Sequence, residues 1–349
     1  MDNTGKSIII LASMVIIAAG IKAAEDLIVP FLLAVFISIL ASTPIFWLQA
    51  KKVPRWLAIL LVSAGVIVSL IALGTIVAQS ADLFLERVPY YQERLTAGLI
   101  EPLKNIDPTM ENFQLVLAYF DPGIALDIAG TVIGGLGEVL SNSFLILLTV
   151  VFILAEGTSI PQKIQALLSR PEVTMPYFIK FTENVNRYLA IKTSTSVLTG
   201  VTVALGLSII GVDFPLLWGI LSFFLNFIPT IGSIIAAVPA IVLALIQLGP
   251  VGCLLTLVLY VVINVFVGNG LEPKFMGRGL GLSTLVVFLS LIFWGWMLGP
   301  VGMLLSVPLT ITAKLAMEAN PSTVWLATLL SPPNTNLSTT SSGEEANGL

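Results

Sequence analysis

The 58 residues from 214 to 271, between Asp213 and Glu272, contain no Asp, Glu, Lys or Arg, and the chain has no His. One α-helix of this length would measure about 87 Å, whereas the hydrocarbon core of a bilayer is ~30 Å thick. The segment must therefore enter lipid and turn back there. Pro229 and Gly232 mark the expected turn, because Pro removes a backbone donor and Gly relaxes the backbone dihedrals. Irregular backbone at membrane depth is tolerated only inside protein or beside a wet cavity, so the segment indicates a transporter or channel.

Composition excludes several other classes of protein. The chain is 56% hydrophobic and 10% charged, against ~25% charged residues in a soluble domain. No basic stripe is present to bind nucleic acid. The single Cys253 excludes disulfides within the chain, and the absence of His removes His-based catalytic and metal sites. We therefore expect no enzyme, cofactor or metal site. The expected partners are the lipid bilayer and a small-molecule substrate, and a homo-oligomer is compatible with the sequence.

The distribution of charge predicts an all-α polytopic membrane protein. We expect about six spanning helices, two opposed Pro/Gly-broken hairpins and short amphipathic surface helices. Pro89 and three later prolines are expected to cut the surface segment into short helices. The predicted units are three transmembrane helices in 1–80, a periplasmic amphipathic segment in 81–135, a transmembrane helix and a cytoplasmic amphipathic segment in 136–192, a transport core in 193–318 and a largely disordered tail in 319–349.

Lys and Arg predict the orientation, because cytoplasmic loops carry an excess of them. If Lys6 is cytoplasmic, every later basic cluster also falls on the cytoplasmic side. Residues 81–135 are then exported, and both termini are expected to be cytoplasmic.

Two apolar runs near the C-terminus resemble each other. Each has a Pro/Gly break followed by a further Pro, and the tetrapeptide Gly-Pro-Val-Gly occurs at both 249–252 and 299–302. The orientation requires the two hairpins to enter from opposite faces, as in transporters with inverted repeats. Tight packing of small residues is an alternative explanation of the likeness. The predicted break or gating positions are Pro229, Gly232, Pro239, Pro300, Gly302 and Pro308.

Uncharged polar residues within the apolar runs are the candidate substrate contacts. Each alone is more often a helix–helix hydrogen bond. Together they could form a neutral pocket for a small sugar-like solute. The five candidates are Asn226, Thr230, Ser233, Asn264 and Asn269, the last two expected on broadly neighbouring faces.

Carboxylates at the membrane boundary are the candidate coupling groups. Glu272 could serve as a proton or cation site, and Asp213 has a weaker claim. For Glu272, the alternative is a structural salt bridge to Lys274 or Arg278.

Several motifs resemble those of the autoinducer-2 exporter family of bacterial inner-membrane proteins. They are NFIPTIGSIIAAVP at 226–239, LEPKFMG at 271–277, GLGLSTLVVFLS at 279–290 and FWGWMLGPVG at 293–302. The resemblance implies a multi-pass inner-membrane exporter of autoinducer-2 that affects quorum sensing and biofilm formation. Similarity to other members leaves a Na⁺(Li⁺)/H⁺ antiporter as an alternative. A non-transporting membrane scaffold is the third hypothesis.

Overall fold

A computed structural model describes residues 3–95, 143–157, 165, 171–229, 231–276, 281–318 and 322–332. All regular secondary structure in these ranges is helical, which confirms the all-α prediction. The elements are α1 (Asn3–Ala23), α2 (Glu25–Ala50), α3 (Arg55–Leu95), α4 (Ser143–Glu156), α5 (Pro171–Ile210), α6 (Pro215–Leu225), α7 (Ile231–Ile263), a π-helical segment (Asn264–Leu271), α8 (Glu272–Met276), α9 (Thr284–Glu318) and α10 (Val324–Leu329).

Long apolar helices dominate the described ranges. Their apolar side chains remain largely exposed, as Ile209 (86%) and Leu205 (61%) illustrate, and lipid accounts for such surfaces. The total of about six spanning helices stays a prediction. Five helical stretches are long and apolar enough to cross a membrane: Glu25–Ala50, Arg55–Tyr91, Thr182–Ile210, Ile231–Phe275 and Thr284–Glu318.

Two helices extend beyond the predicted boundaries. Helix α3 continues past residue 80 to Leu95 and includes Pro89, so the expectation that Pro89 ends a helix is wrong. The extension packs into the core, where the ring centroid of Phe84 lies 5.6 Å from that of Trp218. Helix α5 likewise runs through residues 192 and 193. The predicted boundaries at 80 and 192 therefore fall inside continuous helices. The rest of the predicted periplasmic segment and the tail from 333 lie outside the described residues.

The backbones of helices α5 and α6 lie very close together where the two helices cross. A Cβ added at Gly219 would lie 2.7 Å from the Gly200 carbonyl oxygen and 2.7 Å from Ala204 Cβ. Small residues permit such close approach between membrane helices. The crossing holds the middle of α6 against the C-terminal half of α5.

Two copies of the pentapeptide Leu-Gly-Pro-Val-Gly break α7 and α9 in the same way. Gly249 has φ 73° and ψ −164°, and Gly299 has φ 63° and ψ −154°. Gly accepts this left-handed φ, and the Pro that follows suits the first turn of the next helix. The repeated sequence therefore produces a repeated backbone break.

The second half of α9 folds back along the first. The Trp294 indole Nε1 donates a hydrogen bond to Thr310 Oγ1 at 3.0 Å, although sixteen residues of straight helix would span about 24 Å. Gly302 makes the turn possible, because a Cβ there would overlap the Trp294 carbonyl.

The turn between α6 and α7 follows a similar rule. It begins at Asn226 and includes Pro229, and a Cβ at Gly232 would overlap the Leu225 carbonyl. Pro239 and Pro308, by contrast, lie within helical backbone. Their prediction as breaks is wrong, because the fixed φ of Pro is itself helical and only one hydrogen bond is lost.

Candidate functional site

A small polar cavity lies between α5, α6 and the two halves of α7. The cavity is narrow and admits roughly one water molecule. Three of the five predicted contact residues, Asn226, Ser233 and Asn264, line it together. The full lining is Thr199, Ser222, Asn226, Ser233, Ala236, Tyr260, Ile263 and Asn264.

Hydrogen bonds fix the side chains on one wall of the cavity. Asn226 directly follows α6, is buried, and donates from Nδ2 to Ser196 Oγ at 2.9 Å. The hydroxyls of Ser222 and Tyr260 lie 3.3 Å apart. These contacts join α5 to the end of α6, and α6 to the second half of α7.

Thr199 is a cavity residue that sequence reasoning missed. Threonines in helices commonly donate to the carbonyl four residues earlier, as Thr202 does to Leu198 at 2.7 Å. Thr199 is only 6% exposed, and its Oγ1 has no hydrogen-bond partner among the described residues. A buried hydroxyl without a partner costs free energy, and its position in the cavity wall makes Thr199 a candidate solute contact.

The chemistry of the lining selects by charge. Hydroxyl, amide and phenol groups alternate with apolar atoms, and no Asp, Glu, Lys or Arg is among the lining residues. Burial of an unpaired ion in such a site is costly, whereas hydroxyls and carbonyls find both donors and acceptors. The cavity therefore disfavours a charged solute.

A buried ion pair lies near the cavity. Lys192 Nζ is 2.6 Å from Glu272 Oε1, and the two side chains are 4% and 17% exposed. The sequence offered a salt bridge from Glu272 to Lys274 or Arg278 as the alternative to a proton or cation site. Glu272 does form a salt bridge, but its partner is Lys192 and not Lys274, and Arg278 lies outside the described residues. The two partners are 80 positions apart in the sequence, so the sequence alone did not reveal the pair. Lys192, Ser196 and Thr199 do share a helical face by their spacing.

A second polar cluster surrounds Asp213. Its Oδ2 accepts hydrogen bonds from Arg87 Nη1 at 3.0 Å and from the Tyr91 hydroxyl at 2.8 Å. Its backbone N–H donates to Gln247 Oε1 at 3.0 Å. The cluster therefore ties the extension of α3 to the end of α5 and to the turn before Gly249.

Two of the predicted contact residues are not placed at the cavity. Asn269 is exposed and lies outside its lining. The buried face of this segment passes through Ile263 and Val267, four residues apart, and Asn269 is not on that face. Thr230 lies outside the described residues.

Comparison with known proteins agrees with the membrane architecture. Residues 11–322 match the AI-2E family transporter family. The chain belongs to the AI-2E transporter family. Among its relatives are the AI-2 transport protein TqsA of Escherichia coli K12, 39% identical over 95% of this chain and 97% of the relative, and the putative transport protein YhhT of the same organism, 40% identical over 95% and 96%.

More distant relatives carry similarly general names. The putative transport protein YrrI of Bacillus subtilis is 27% identical over 84% of this chain and 86% of the relative. This AI-2E family member is accordingly a transporter with several membrane-spanning helices, and its relatives are transporters, not enzymes.

Proposed function

We propose that this AI-2E family transporter is an inner-membrane secondary exporter of a small neutral polar signal, autoinducer-2, and that it thereby affects quorum sensing and biofilm formation. The observation that carries the proposal is the uncharged polar cavity lined by Thr199, Asn226 and Asn264. Its hydroxyl and amide groups match a hydroxylated solute. The relative TqsA, named as an AI-2 transport protein, supports the choice of substrate.

The proposed mechanism uses two re-entrant hairpins as an inverted repeat. Helix α6 has 11 residues and is about 16 Å long, too short to cross a ~30 Å core alone. The break around Pro229 and Gly232 would enter from the periplasmic face, and the break around Pro300 and Gly302 from the cytoplasmic face. Movement of the hairpins would expose the cavity to each side in turn, with both termini in the cytoplasm.

Cation exchange is the second candidate. A Na⁺(Li⁺)/H⁺ antiporter needs a carboxylate that releases its proton to bind a cation. Glu272 already has Lys192 as its partner, and Asp213 has Arg87. Both ion pairs favour the exporter over the antiporter.

One vesicle experiment separates the three functions. Inverted membrane vesicles that contain the protein are given labelled autoinducer-2, and parallel samples receive Na⁺ or Li⁺ with a pH-sensitive dye inside. The exporter takes up the signal without a pH response to the cations. A cation-dependent pH change abolished by Glu272→Gln would identify the antiporter, and absence of both fluxes would favour the scaffold.

A further inference from the structure

We propose that the Lys192–Glu272 ion pair is the gate that closes the solute cavity on the side of Lys192, which lies in the middle of α5. The inference rests on the proposed function, because it assigns the cavity to the transported solute. The two side chains are 2.6 Å apart and largely buried. By this assignment they are positioning residues, which control access to the cavity without contacting the solute.

The distance from the ion pair to the cavity follows from the geometry of α5. Lys192 precedes the cavity residue Thr199 by seven residues, about 10 Å along the helix axis. Lys192, Ser196 and Thr199 are all buried, and their spacing of four and three residues places them on one face. A buried polar stripe therefore leads from the ion pair to the cavity.

On the opposite wall, the π-helical segment also connects the cavity to the ion pair. Asn264, the first residue of the π-helical segment, lines the cavity, and Glu272 directly follows the last residue of that segment. π-Helical turns are rare and occur frequently at functional sites. One short irregular segment thus joins a cavity residue to the acidic partner of the ion pair, so a change of its winding would move both.

The other end of the cavity is closed by buried apolar side chains. From Thr199 to the end of α5 at Ile210 is about 16 Å. Val203, Leu207 and Trp218, all fully or almost fully buried in one core cluster, occupy that interval. Toward Lys192, the Asn226–Ser196 hydrogen bond and then the ion pair follow the cavity along α5.

The environment of the pair suits a contact that opens. Breaking an ion pair deep in protein is costly, because each charge remains without a partner in a medium of low dielectric constant. Glu272 retains 17% exposure, whereas Lys192 has 4%, so the carboxylate is the less enclosed of the two partners. Arg187 Nη2, which donates to the Phe275 carbonyl at 3.3 Å, holds α8 beside α5 on the same side of the pair.

The test measures access of a reagent to the cavity and needs no transported solute. Cys253 is the only cysteine, so Cys253→Ala gives a thiol-free chain into which Thr199→Cys is introduced. Thr199 has no hydrogen bond to lose. A membrane-impermeant methanethiosulfonate is applied to inverted vesicles, and the rate of labelling is compared with and without Lys192→Gln/Glu272→Gln. Both charges are removed together, so that neither is left unpaired.

We expect the double substitution to accelerate labelling in inverted vesicles about tenfold, equivalent to the loss of ~1.4 kcal/mol of closing free energy. The matched control is Arg87→Gln/Asp213→Asn, which removes the ion pair beyond the C-terminal end of α5 and should leave this rate unchanged. Equal labelling with and without the Lys192–Glu272 pair would overturn the gate.

A reversible cross-link tests the same gate in the working transporter. Lys192→Cys and Glu272→Cys in the Cys253→Ala chain are joined by a short bifunctional methanethiosulfonate. Transport should stop and return when a reductant is added, and a monofunctional reagent should not stop it. Unchanged transport in the cross-linked protein would contradict the gate. Faster labelling without any autoinducer-2 flux would refute the proposed substrate and leave the gate in place.

Discussion

The side-chain amide of Asn226 donates a 2.9 Å hydrogen bond to the Ser196 hydroxyl, and this contact joins the end of α6 to the middle of α5. Asn226 is the first residue after the helix, where the chain turns toward Pro229. The turn therefore presents a polar side chain to the cavity, and a neighbouring helix holds that side chain in place. At such a break the regular helical backbone is lost, and the turn forms a defined binding surface in its place.

Asn226→Ala should slow solute transport about tenfold, since a hydrogen bond and a cavity contact are lost together. Asn269→Ala is the matched control, because Asn269 is exposed and lies outside the cavity lining. Initial uptake rates at equal protein levels compare the two variants. Equal rates for both would argue against a role for Asn226 in the site.

Thr199→Val should separate stability from transport. The valine removes a buried hydroxyl without a hydrogen-bond partner, whose desolvation costs ~1–3 kcal/mol, so the thermal midpoint in detergent should stay equal or rise. Transport should fall, whereas Thr199→Ser, which keeps the hydroxyl, should retain most of it. A parallel loss of stability and transport in Thr199→Val would point to a packing role.

Gly232→Ala and Gly302→Ala should each destabilise the protein strongly, because the new Cβ would overlap the carbonyl of Leu225 or of Trp294. We expect a loss of folded protein in detergent, measured by size-exclusion chromatography. Gly65→Ala is the control: it lies in α3 with no atom within 4 Å of the added Cβ. Alanine there should be neutral or stabilise the helix by ~0.5–1 kcal/mol. If all three variants behave alike, the close approaches at the two turns do not matter.

Glu272→Gln alone should destabilise the protein more than Lys192→Gln/Glu272→Gln together. The single change leaves the Lys192 ammonium, only 4% exposed, without its counter-charge, a loss of ~3–5 kcal/mol for a buried pair. Thermal denaturation of both variants measures the difference. An additive result, with the double variant less stable by the sum of the two single effects, would contradict the pairing.

Local sequence signals predicted the breaks in the helices only in part, because Gly249 and Gly299, where the backbone leaves the helix, were not among the predicted break positions. The identical pentapeptides around Gly249 and Gly299 adopt nearly identical backbone angles, because Gly and Pro restrict the backbone through local sterics alone. Pro239 shows where such reasoning fails. A Pro by itself is compatible with helical φ, and the surrounding contacts decide whether the helix continues.

The candidate site was only partly predictable. Asn226, Ser233 and Asn264 could be selected because polar side chains are conspicuous in apolar runs, and the structure brings them together. The ion pair of Lys192 with Glu272 depends on helices that meet only in the folded protein. Asn269 was misjudged, because it lies on the exposed side of the π-helical segment, whose buried face passes through Ile263 and Val267.

The most direct test of the cavity as the solute site is the initial rate of labelled autoinducer-2 uptake into inverted vesicles, measured against concentration for the unmodified protein and for Thr199→Val. We predict saturable uptake by the unmodified protein and a rate about tenfold lower for Thr199→Val at low concentration, the loss expected from one hydrogen bond to the solute, with equal amounts of folded protein. Superimposable curves for the two proteins, or no uptake by either above that of empty vesicles, would contradict the account.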